Sequence, residues 1–155
     1  MNEILRNKLY LGDMFDANNI EMLRANNITS IVSVAERLKI NINEPNIKIY
    51  KYELSDDYEC DILKYFDEIC EIINKENIVL VNCVAGVSRS ATIIISYLIK
   101  YYNMSLKDAF IYVRKRRDRI CPNKHFMECL LNYELTIIGK NSLTYDECIK
   151  LFYYT

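Results

Sequence analysis

Ile78-Val79-Leu80-Val81-Asn82-Cys83-Val84-Ala85-Gly86-Val87-Ser88-Arg89-Ser90 is the stretch from which the fold can be read. Residues 78–81 are apolar and mostly β-branched, which predicts a strand buried on both faces. The run that follows, Ala91-Thr92-Ile93-Ile94-Ile95-Ser96-Tyr97-Leu98-Ile99, predicts a buried helix. A strand feeding a helix through a short loop is the repeating unit of an α/β sheet. Backbone N–H groups and the helix dipole converge on such a loop and make it an anion site. This loop also carries a cysteine, Cys83, and an arginine, Arg89, six positions apart.

Working outward, Leu9–Leu11 reads as a short first strand and Asp16–Asn26 as a helix with Ile20 and Leu23 inward. Ile28–Val34 predicts an interior strand. Ile47–Leu54 predicts another, with Ile47 and Ile49 turned inward. Apolar residues at Ile62, Leu63, Phe66, Ile69, Cys70 and Ile73 have the spacing of an amphipathic helix. Beyond the loop every segment reads as helix. Ala91–Tyr102 comes first, then a Ser105-capped helix to about Arg116. A third runs from Lys124 to about Ile138, and a short one begins at the capping box Thr144…Glu147. The fold class is therefore α/β, a mostly parallel central sheet flanked by helices with a helical C-terminal half. Residues 1–138 form one domain. Residues 139–155 are an extension, either a short helix packed on that domain or a homodimer contact through Leu143, Ile149, Leu151 and Phe152.

Composition excludes several classes. A net charge of −1 offers no basic field for nucleic acid. No apolar run is long enough to cross a bilayer, and the N-terminus lacks a signal-peptide core, so no membrane partner is expected. Six cysteines without a Cys-x-x-Cys pair, beside one histidine (His125), argue against zinc. No metal and no cofactor are expected. The expected location is the cytoplasm, with the nucleus as an alternative. The excess of Asn, Ile and Tyr with no Trp fits an AT-rich genome, so for a viral protein the virion is another.

The loop residues suggest a definite chemistry. A free thiol titrates at about 8.5, but a helix N-terminus, convergent N–H groups and Arg89 all favour its anion. A thiolate at Cys83 would attack phosphorus. The N–H groups of Val84, Ala85, Gly86, Val87, Ser88 and Arg89 would hold the phosphoryl oxygens, and the Arg89 fork would grip two of them. Gly86 allows a backbone conformation other residues resist. Ser90 would donate to the sulfur and help it leave. The departing oxygen needs a proton, and Asp56 or Asp57 follows the end of a strand and could supply it. The same pair also suits a solvated turn. The basic run Arg114–Arg119 suits a solvated helix end, or a patch for acidic or multiply phosphorylated substrates.

These residues resemble the small atypical dual-specificity protein phosphatases, in the cysteine-dependent tyrosine phosphatase superfamily. The resemblance covers about Leu5 to Glu134. It rests on Leu9-Tyr10-Leu11-Gly12, on Cys83–Ser90, and on Pro122-Asn123, Phe126 and Leu130–Glu134. It implies a tyrosine-phosphatase-like fold with residues 1–138 as the catalytic domain. The implied activity is hydrolysis of phosphotyrosine, phosphoserine and phosphothreonine in phosphoproteins through a phosphocysteine. By resemblance, Leu54-Ser55-Asp56 is the general-acid segment, favouring Asp56 over Asp57, and Asn123 braces the phosphate loop. Asn82 stands where the family carries histidine, and cannot supply that residue's positive charge. Val84 and Val87 occupy places where phosphoinositide-directed relatives carry lysines. No Asn-Arg-Tyr loop occurs in Ala35–Asn46, which implies a shallow site. Two other readings compete: a phosphoprotein-binding module without turnover, and an RNA 5′-triphosphatase.

Overall fold

The computed structural model describes all 155 residues. Its centre is a five-stranded sheet of β1 (Asn2–Leu5), β2 (Leu9–Gly12), β3 (Ser30–Ser33), β4 (Lys48–Lys51) and β5 (Val79–Asn82), in the order β1-β2-β5-β3-β4. β1 runs antiparallel to β2, and every other pairing is parallel. The helices are α1 (Ile20–Ala25), α2 (Phe66–Lys75), α3 (Arg89–Tyr102), α4 (Leu106–Arg116), α5 (Lys124–Ile138) and α6 (Tyr145–Tyr153). Single 3₁₀ turns at Asp16–Asn18 and Ile62–Tyr65 precede α1 and α2. The expected α/β class and helical C-terminal half are present.

Period-two alternation divides the sheet between two cores. Leu9, Leu11, Val32, Val79 and Val81 face the large core with α2 to α6. Tyr10, Ile31 and Leu80 face a smaller one with Leu23 of α1. β5 sits in the middle of the sheet, and all four of its residues are buried. α3 is buried continuously from Ser90 to Ile99, because β5, α2, α4 and α5 surround it. These two elements fix the ends of the cysteine loop in the best-packed part of the molecule.

Two local expectations need correction. The first strand is not Leu9–Leu11 but Asn2–Leu5, a short edge strand in which Ile4 alone is buried. One buried position leaves no alternation to read. Ile49 does not turn into a core but is 40% exposed. It aligns with Ile31 on the smaller face, at the outer strand of the sheet.

The tail packs on the domain itself. Its N-cap is the expected box, with Thr144 Oγ1 accepting from the Glu147 N–H and Glu147 accepting from the Thr144 N–H. Leu143, Cys148 and Phe152 enter the large core. The Phe152 ring stacks on Phe110 at 3.9 Å between centroids and 10° between planes.

Candidate active site

β5 ends at Asn82 and α3 begins at Arg89, so the loop between them lies at the carboxyl end of the middle strand, where α/β sheets place ligands. Cys83 is buried at its base, 2% exposed. Its Sγ lies 3.1 Å from Ser90 Oγ and accepts from the Gly86 N–H at 3.3 Å. Ser90 thus lies within hydrogen-bond reach of the sulfur.

The loop carbonyls are held from outside, one after another. Val84 O accepts from the Met14 N–H at 3.0 Å and Val87 O from the Cys121 N–H at 2.8 Å. Gly86 O accepts from Arg117 Nε at 2.8 Å, and Ala85 O from Arg117 Nη2 at 3.4 Å. A peptide is planar and trans, so each carbonyl held outward turns the next N–H the opposite way. The N–H groups of Val84, Ala85, Val87 and Ser88 bond to no protein atom, and that of Gly86 points at the sulfur. A ring of donors around Cys83 results. Gly86 has φ +66°, and a Cβ there would lie 2.6 Å from Gly12 O, so glycine is required on both conformational and steric grounds.

Arg89 leans toward the general-acid segment. Its Nη1 donates to Leu54 O at 2.9 Å, while its Nε is buried without a partner. An anion in the ring would supply that partner. The two aspartates separate clearly. Asp57 Oδ1 accepts from Ser55 Oγ and the Glu59 N–H, closing a turn. Asp56 is exposed, and its Oδ1 accepts from Asn123 Nδ2 at 2.8 Å.

Asn123 does not brace the loop with its side chain. Its Oδ1 caps α5 through the Phe126 N–H, and its Nδ2 holds Asp56. Only its backbone N–H reaches the loop, at Ser88 Oγ. Asn82 is fully buried and donates to Cys83 O at 3.3 Å, while its Oδ1 has no partner. The brace that sequence did not single out is Arg117, 6% exposed and also bonded to Asn2 Oδ1. The run 114–119 is therefore not uniformly solvated. Position was the available signal: Arg117 is the first residue after α4 and lies shortly before Pro122-Asn123.

The remaining thiols are of another kind. Burial pushes Cys70 and Cys148 up to about 12 and Cys129 up to about 11, which keeps them protonated and unreactive. His125 Nε2 contacts Cys60 O at 2.9 Å and takes no part in the ring.

A sulfur under a ring of amide donors, with an arginine on the same loop and an exposed carboxylate held by Asn123, has the make-up of a seat for a tetrahedral anion. Comparison with known proteins agrees. The dual specificity phosphatase catalytic domain matches residues 9–136. Mouse dual specificity protein phosphatase 14 is 36% identical over 143 residues, covering 90% of this chain and 72% of the relative. Among solved structures, human DUSP28 superimposes with a TM-score of 0.83 at 25% identity, covering 90% of this chain and 99% of that one. A mouse dual specificity phosphatase complexed with zinc tungstate gives 0.82 at 27% identity, covering 89% and 88%. The chain belongs to the dual specificity phosphatase family and is a protein phosphatase. Neither the binding-module reading nor the RNA 5′-triphosphatase reading is favoured by these relatives.

Proposed function

We propose that the protein hydrolyses phosphotyrosine, phosphoserine and phosphothreonine monoesters in phosphoproteins through a phosphocysteine at Cys83. The observation that carries this reading is the set of outward-held carbonyls, which aims successive N–H groups at one point above the sulfur. The thiolate Sγ forms a bond to phosphorus as the ester P–O bond breaks, and the three equatorial oxygens rest on the loop N–H groups and Arg89. Asp56 gives its proton to the departing oxygen. Water then attacks the same phosphorus and loses a proton to Asp56. The S–P bond breaks, Ser90 Oγ donates to the returning thiolate, and inorganic phosphate leaves. Every group the cycle uses returns to its starting state.

The breadth of substrate follows from a shallow mouth. Val84 on its rim is 40% exposed, Asp56 is exposed, and Ala35–Asn46 carries no Asn-Arg-Tyr segment to deepen the entrance. A shallow entrance admits the short phosphoserine and phosphothreonine side chains as well as phosphotyrosine. A relative is solved in complex with zinc tungstate, whose oxyanion is tetrahedral like phosphate.

The test is rapid-quench phosphorylation with phosphotyrosine and phosphothreonine peptides. Label on Cys83 with the acid lability of a phosphothioester, lost in Cys83→Ser, with turnover of both peptides, is the expected result. Label elsewhere, or peptide binding without release of phosphate, would overturn the assignment.

A further inference from the structure

We infer that a groove beside the phosphate loop selects substrates with a large apolar side chain next to the phosphorylated residue. The inference rests on the phosphatase reading of the neighbouring site. The groove has a volume of about 370 Å³ and is lined by Met14, Phe15, Leu38 and Val84, with Arg37 and Lys39 among its polar residues. That volume falls within the range of preformed ligand pockets, about 300–1,000 Å³. Phe15 is 71% exposed and Val84 40% exposed, whereas Leu38 is 5% exposed. An exposed phenylalanine beside a catalytic loop has apolar surface to cover.

The groove is continuous with the active site on two sides. Val84 belongs both to its lining and to the phosphate loop, and the Met14 N–H is bonded to Val84 O. On the other side the Glu36 N–H donates to Leu54 O, the same carbonyl that receives Arg89 Nη1. The Arg37 N–H donates to Glu53 Oε2 at 2.9 Å. Asn18 ties the two walls, donating from Nδ2 to Met14 O and Lys39 O and accepting from the Asn41 N–H. The groove is thus held in register with Cys83 and does not depend on closure of a loop.

Its occupant is the substrate chain itself. A phosphorylated side chain seated over Cys83 carries its immediate neighbours past Val84, so a flanking residue is within reach of the groove. Arg37 and Lys39 form no ion pair in the structure, while Glu36 is the one acidic residue of the lining. The apolar lining sets the main preference. The two cations favour an acidic residue beyond it.

Isothermal titration of Cys83→Ser with matched phosphotyrosine peptides tests this without requiring turnover. The peptides carry Leu or Ser on both sides of the phosphotyrosine. Burying one apolar side chain should favour the Leu peptide by about tenfold in Kd. Phe15→Ser, added to Cys83→Ser, should reduce that ratio to about twofold or less; Phe15 is exposed, and circular dichroism checks that the variant stays folded. Equal Kd values for the two peptides, or a ratio that survives Phe15→Ser, would sink the inference. Turnover of para-nitrophenyl phosphate by the unmodified protein reports separately on the phosphatase reading. A silent enzyme that still binds the Leu peptide tighter would overturn catalysis and leave the groove standing.

Discussion

Asn123 Nδ2 donates to Asp56 Oδ1 at 2.8 Å, across 67 residues of chain. The same side chain caps α5, and its backbone N–H holds Ser88 of the phosphate loop. One residue therefore ties Asp56, the proposed proton donor, to the loop around Cys83. The geometry assigns Asn123 the work of aiming Asp56, in addition to ending a helix.

Asp56→Asn should slow hydrolysis of alkyl phosphates by about a hundredfold or more, the usual worth of a positioned acid, and slow activated aryl phosphates far less. Asp57→Asn should leave both rates within a few-fold, because its carboxylate is committed to a turn. Asn123→Ser keeps an oxygen for the Phe126 N–H but cannot reach Asp56. It should lose about tenfold on the poor leaving groups with little change in Tm. Steady-state rates on a leaving-group series separate these variants, and equal effects of the two aspartates would remove the assignment.

Arg117→Met would leave Gly86 O and Ala85 O without their outside donor. The expected cost is about 3 kcal/mol of stability, from buried acceptors that lose a charged partner. Activity should fall with it, since freed carbonyls can rotate into the ring. Gly86→Ala meets both a positive φ and the Gly12 carbonyl, and should be at least as damaging. Urea unfolding together with kcat on para-nitrophenyl phosphate checks both variants.

Phe152→Ala should destabilise the whole domain by about 3–5 kcal/mol, as truncation of a buried aromatic does. The stacked Phe110 ring would lose its partner and the large core a side chain only 2% exposed. A single, lowered urea midpoint is expected. An unchanged midpoint would mean that α6 contributes nothing to the stability of the fold.

Asp67 provides a pH dependence with a definite sign. Hydrogen bonds from Tyr133 Oη and then Lys100 Nζ hold its carboxyl below the usual range. A depressed folded value adds stability above the unfolded pKa, and that stability is lost as pH falls through the folded value. Asp67 is 71% exposed, so the contribution is under about 1 kcal/mol. Asp67→Asn should lower Tm slightly at neutral pH, and the gap should close as pH falls through the folded value. A gap that persisted in acid would point to lost packing.

Local chemistry made much of this protein legible in one dimension. The unbroken apolar run Ile78–Val81, the largely apolar stretch Ala91–Ile99, the caps at Ser105 and Thr144, and the spacing of Cys83, Arg89 and Ser90 are all carried by residues close in sequence. Hydrogen-bond geometry within a turn or a helix end is set over three to eight residues, so a linear reading recovers it. Asn2–Leu5 escaped because one inward residue makes no pattern, and Ile49 misled because alternation shows which residues share a face without showing what covers that face.

What only the tertiary structure decided are the contacts between distant segments. Arg117 looks like its basic neighbours until folding carries it under Gly86. Resemblance favoured Asp56 over Asp57, but the partners that set them apart are distant and local in turn: Asn123 reaches one and a turn takes the other. The helix at Thr144 places Phe152 on Phe110 of α4, a contact no local pattern announces. Such choices depend on which surfaces meet once the chain closes on itself, and the energy of that meeting is written in no single stretch of residues.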